Sequence, residues 1–173
     1  MIQEHATFLA NAHYREYLRL LRELHGLIRE GRDETPEGET LRERMDRPGK
    51  NLSPEEVVSV NGVSADFYTL WEAPGELRVA DTRTQSAAFR AALTARDAQQ
   101  YDRALTLLRQ CTSAVEPAGL AYARGTVWQA AGEPEMAALF FQRAAELDPN
   151  SIRDQAGQGI VRQEKLSGTA TDR

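Results

Sequence analysis

A chain of 173 residues, 41% hydrophobic and 27% charged, has the make-up of one globular domain or of a small domain with an extension. Its 21 basic residues stand against 26 acidic ones, a formal charge of −5, which excludes the basic excess that non-specific nucleic-acid binding requires. The single cysteine, Cys111, excludes an intrachain disulfide and a cysteine zinc site, and no apolar run reaches the roughly 18 residues of a membrane span.

The opening residues, MIQEHATFLA, lack a basic flank followed by an apolar core, so no secretory signal is read and a cytoplasmic protein is expected. From about Gln3 to Glu30 one long amphipathic helix is predicted, ending near Gly31. Its stripe is Tyr14, Tyr17, Leu21, Leu24 and Ile28, widened by Leu18 and Leu20. Packing against its own chain accounts for that stripe; a homodimer seam through this N-terminal helix is the alternative. His5, His13 and His25 do not converge on one face, so they are read as surface or half-buried residues and no metal site is expected.

Thr35-Pro36 signals a second, charged helix to about Arg47, with Leu41 and Met45 as its apolar pair and Pro48-Gly49 as its stop. Ser53-Pro54-Glu55-Glu56 is a stronger start. Ser53 can cap, Pro54 fits the first turn and Glu56 stands at the capping-box position. Val57, Val58 and Val60 with Asn61-Gly62 make a strand a competitor, but the cap favours a helix. Phe67, Leu70 and Trp71 form an apolar face beyond it, with Trp71 read as a packing residue. Residues 1–72 are therefore a helical N-terminal region, and 73–84, with Pro74-Gly75, a linker.

The stretch Ala118 to Pro149 reads as two helices around Gly132-x-Pro134. It carries A-x2-R-G-x2-W through Ala121, Arg124, Gly125 and Trp128, then A-x3-F-x2-A through Ala137, Phe141 and Ala144, then Pro149. In this order it resembles a tetratricopeptide repeat (TPR), with Arg124 where the pattern has leucine and Ala121 where it has tryptophan. Shifted by 33 residues, Ala104, Leu108 and Cys111 repeat Ala137, Phe141 and Ala144, and Ala92 and Ala95 repeat Gly125 and Trp128. Ile152 to Leu166 resembles the helix that follows a last repeat, and residues 167–173 are a polar tail. The expected fold is all-α, a short TPR-like α-α superhelix over 85–166 behind the N-terminal helices. Small residues such as Gly125 let paired helices approach, and Phe141 and Leu108 fill the space beneath the next unit. Two hairpins are few for such a stack, so the N-terminal helices are expected to cover the first, through Phe67 and Trp71.

The resemblance implies a partner-binding concave face built from the first helix of each hairpin. Its side chains would be Phe89, Leu93 and Arg96 from one hairpin and Tyr122, Thr126 and Gln129 from the other. Where one TPR subclass grips a C-terminal carboxylate with lysine, asparagine and arginine, the matching places here hold Phe89, Leu93, Tyr122 and Thr126, so apolar anchoring of a peptide or partner protein is expected. No G-x-S-x-G, phosphate-binding glycine loop or ligand cluster is present, and Cys111 falls on a core face away from every histidine. The expectation is a non-enzymatic interaction module, an adaptor or assembly factor without cofactor. The alternatives are a small TPR-type chaperone and a regulatory subunit of an enzyme.

Overall fold

Glu56 donates its backbone N–H to Ser53 Oγ at 3.2 Å, and its own carboxylate accepts from the Ser53 N–H at 2.8 Å. That reciprocal cap starts a helix, not a strand, and the same outcome holds throughout the computed structural model, which describes residues 8–71, 82–111 and 115–149. After a 3-10 turn at Phe8–Ala10 come α1 (Ala12–Arg29), α2 (Pro36–Gly49), α3 (Pro54–Tyr68), α4 (Thr82–Asp97), α5 (Tyr101–Arg109), α6 (Pro117–Ala130) and α7 (Pro134–Leu147). The chain is all-α, with no strand among the described residues and no helix there long and apolar enough to cross a membrane. The helix predicted at 152–166, the tail, and most of the linker lie outside the described residues. The linker's last three residues, Thr82 to Thr84, are the first turn of α4, since no glycine or proline interrupts the chain between Gly75 and Pro117.

The first helix is shorter than its apolar pattern predicts. Asn11 caps it, its side chain accepting from the His13 N–H at 2.9 Å, so α1 begins at Ala12. Its far end is Gly31, whose φ of +67° closes the helix near the predicted place. Tyr14, Leu18, Leu20, Leu21 and Leu27 are buried, while Tyr17, Leu24 and Ile28 are half-covered at the edge. His25 is also buried, at 2% exposure, deeper than the surface or half-buried position expected of it. It lies between the Phe67 and Tyr68 rings, with Nε2 2.9 Å from Ser64 Oγ, and burial lowers its pKa. In α2, Leu41 and Met45 are buried as expected, and Pro48 is buried within the last turn. Thr35 does not cap; its hydroxyl donates to the Arg32 carbonyl instead.

The C-terminal half is two helical hairpins, α4–α5 and α6–α7, whose turns share one geometry 33 residues apart. The Gln100 N–H donates to the Ala95 carbonyl at 2.8 Å and the Glu133 N–H to the Trp128 carbonyl at 3.0 Å. Each bond spans a residue in the left-handed region, Gln99 (φ +59°) in the first turn and Gly132 (φ +79°) in the second. The second turn uses the residue suited to that conformation and the first does not. Gln99→Gly is therefore expected to stabilise the chain, by about 0.5–1 kcal/mol, read as a rise in the urea midpoint at unchanged slope. A loss of stability would contradict the turn geometry.

Ala92, Ala95, Ala104, Leu108 and Cys111 are buried in the first hairpin, as the 33-residue shift predicts. In the second, Gly125 faces Phe141 so closely that a Cβ there would lie 2.6 Å from the ring. Phe141 is thus the half-buried partner of Gly125 inside its own hairpin. The aromatic that reaches the neighbouring unit is Phe140, fully buried and stacked on Phe67 of α3 at a ring separation of 6.3 Å. Position 141 satisfies the repeat pattern; position 140 meets the N-terminal helices because they lie on that side of α7.

The N-terminal helices do cover the first hairpin, through α3 on α5, but they reach the second as well. Trp71 is half-buried and packs against the core, as a packing residue should, with the Arg29 guanidinium over its ring at 4.7 Å.

Candidate functional site

The six residues expected on the partner-binding face come from two helices that pack together, α4 and α6. Arg96 joins them. Its Nη1 donates to Thr126 Oγ1 at 3.1 Å, and Thr126 in turn donates to the Ala123 carbonyl at 2.8 Å. The other edge of the Arg96 guanidinium is held by Asp97, at 2.7–2.9 Å. Tyr122 leans on Phe141, ring centres 5.3 Å apart. Phe89, Leu93, Arg96, Tyr122 and Thr126 are half-buried and Gln129 is exposed. The structure brings Arg96 and Thr126 into contact and gives Tyr122 a fixed support; Gln129 stands on the open edge near the end of α6.

What joins the N-terminal helices to the hairpins lies elsewhere, and most of it was not read from the sequence. Asp66, on the buried side of α3, accepts from Arg109 Nε at 2.9 Å through Oδ2, with Arg109 Nη2 in ion-pair range at 2.8 Å, while its Oδ1 lies 3.0 Å from Arg124 Nη2. Arg124 also donates to Thr69 Oγ1 at 3.1 Å. Asp66 is 1% and Arg124 3% exposed. Burial raises the Asp66 pKa, opposed by the two guanidiniums, and burial lowers that of Arg124, opposed by Asp66. Arg109 crosses α3 at Gly62, where a Cβ would lie 2.5 Å from the guanidinium. The arginine that replaces the expected leucine at position 124 is thus one half of an ion pair between the two parts of the chain.

A second polar contact runs alongside. Asp102 of α5 accepts from Ser59 Oγ at 3.2 Å and from the Phe8 N–H at 3.3 Å, and Ser59 Oγ lies 2.7 Å from the Tyr14 hydroxyl. Burial raises the pKa of both Asp102 and Tyr14. Arg22 of α1 pairs with Glu135 of α7. These polar contacts are made by α5, by α7 and by Arg124 of α6, and none of them is made by Phe89, Leu93, Tyr122 or Thr126. A sequence signal for the junction existed: Asp66 is flanked by Val63 and Phe67 on the apolar side of its helix, an arrangement that demands a buried partner.

Among the described residues no three His, Cys, Asp or Glu side chains cluster as metal ligands. Cys111 is buried, its Sγ 3.2 Å from the Leu107 carbonyl, and burial pushes the thiol pKa up, away from the thiolate a nucleophile needs. Two clefts flank α1, neither on the α4/α6 face. The larger, about 520 Å³ between α1 and α2, is lined by charges that already pair, Arg32 with Glu30 and Glu37, and Arg44 with Glu23 at 3.9 Å. The smaller, about 290 Å³, lies between α1 and the α6–α7 turn beside the Arg22 and Glu135 pair. The chain matches no protein-family model, no curated protein and no solved structure. The resemblance to repeat proteins therefore rests on residue order.

Proposed function

We propose that this chain is a TPR-like interaction module, an adaptor or assembly factor, that holds a peptide or a partner protein on the face formed by α4 and α6. The observation that carries this reading is the side on which the N-terminal helices dock. They engage α5, α7 and the buried Arg124, and the contacts that hold them do not involve Phe89, Leu93, Arg96, Tyr122, Thr126 or Gln129. That leaves half-buried aromatic and aliphatic side chains bordered by Arg96, Thr126 and Gln129, the mixture of apolar anchors and polar rim that a bound peptide uses. The reading takes the protein to be non-catalytic, without cofactor, and cytoplasmic. A small chaperone for an assembling client would use the same face, and so would a regulatory subunit seated on its enzyme.

The test is capture of partners by the full chain and by Phe89→Ala/Tyr122→Ala, compared by mass spectrometry. Proteins retained by the wild type are expected to be lost, about tenfold or more, while the melting transition moves by only a few degrees. An identical set of partners on both proteins would remove this face from consideration.

A further inference from the structure

Among the described residues the exposed large hydrophobic side chains are Val57, Val58 and Tyr68, at 42%, 72% and 46%, and all three lie on α3. At about 100° per residue they share an arc of roughly 100° with Asn61 and Ala65. All five are exposed and none is charged, although charged residues make up 27% of the chain. A helix apolar on both faces is normally covered on both. One side of α3, with Val60, Val63 and Phe67, faces the core; the other side faces outward.

We propose that this outer face of α3 is covered by the α3 of a second copy, the two helices crossing antiparallel about a two-fold axis. The order of residues fits its own image. With the axis beside the midpoint of Asn61 and Ala65, Tyr68 of each copy lies over Val57 and Val58 of the other. The small Ala65 faces Asn61, whose amide can pair across the axis. A two-fold contact must be self-complementary, and an uncharged face brings no like charges together when it meets itself. Tyr68 is held for the purpose, its ring edge-on to His25 at 4.8 Å. The stripe of α1, for which a dimer seam was the alternative to packing within the chain, has its Tyr14, Leu18 and Leu21 buried in its own chain. Five side chains fall short of the about 800 Å² per partner of a standard interface, so the association is weak, with a Kd on the order of 10–100 µM.

Sedimentation velocity of the full chain from about 5 to about 500 µM tests this. The wild type is expected to shift from monomer to dimer across that range. Val58→Glu and Tyr68→Lys are each expected to stay monomeric throughout, with circular dichroism and melting of Val58→Glu unchanged because that side chain is largely exposed. Mixed in equal amounts, the two variants are expected to associate again, since antiparallel pairing sets the new carboxylate against the new ammonium. A wild type that is monomeric at every concentration would leave the face to a different protein and overturn the proposal. A dimer indifferent to Val58→Glu, or monomeric variants that do not associate on mixing, would overturn it equally.

Discussion

Asp66→Asn is expected to destabilise the chain by about 3–5 kcal/mol, a large share of the roughly 5–15 kcal/mol that holds a domain together. The shape of the side chain is retained and the charge is not. Arg124, 3% exposed, would be left with the Thr69 hydroxyl as its hydrogen-bond partner, and Arg109 would keep a guanidinium beside a neutral amide. The cost comes from the uncompensated buried cation more than from the lost attraction, because two charges taken out of water repay little of their desolvation. The triple variant Asp66→Leu/Arg109→Met/Arg124→Leu, which removes both cations with the anion, is therefore expected to recover most of the loss, restoring at 124 the residue type that the repeat pattern prefers. Urea unfolding of the wild type, the single variant and the triple variant reads the result. A single variant within about 1 kcal/mol of wild type would mean that water reaches this junction.

Phe140→Ala is expected to cost about 3–5 kcal/mol and Phe141→Ala about 1–2 kcal/mol. The residues are neighbours of the same type, so side-chain chemistry cancels and position decides. Phe140 is fully buried and stacked on Phe67, so its removal opens a cavity between α3 and α7 that rigid helices on both sides cannot close. Phe141 is half-buried against Gly125 and Tyr122, and water can fill part of its place. Thermal unfolding of the two proteins side by side distinguishes them. The reverse order would restore Phe141 as the core aromatic and would detach the N-terminal helices from α7.

That pair also marks how far the sequence could be read. Local chemistry was legible: the Ser53 and Glu56 box, the stop at Gly31 and the turn at Gly132 each depend on residues a few positions apart. The 33-residue shift located Ala104, Leu108 and Cys111 in the core, because helix register carries over from one hairpin to the next. Gln99 was not legible as a left-handed residue, since nothing in a glutamine favours that conformation; the hairpin imposes it. Phe140 was not singled out, and His25 was read as no more than half-buried, because their partners, Phe67 and Ser64, come from a distant helix, and periodicity within one helix does not say which neighbour arrives. The Asp66 and Arg124 pair is the extreme case. Each residue alone breaks a pattern, one an apolar face and the other a repeat position, and only together do they explain each other. For the candidate face, register supplied the six residues. The side on which the N-terminal helices dock came from the fold.

Everything functional in this account depends on the α4/α6 face being open in the folded chain. Cys111 is buried, so a cysteine introduced at Gln129 or at Phe89 can be followed by its reaction with a maleimide under native conditions, with Val63→Cys as the buried control. Gln129→Cys is expected to react about as fast as in the unfolded chain and Phe89→Cys within about tenfold of it, while Val63→Cys waits for global unfolding. Protection of Gln129→Cys and Phe89→Cys to the same degree as Val63→Cys would mean that the face is part of the core, and would contradict the proposed function.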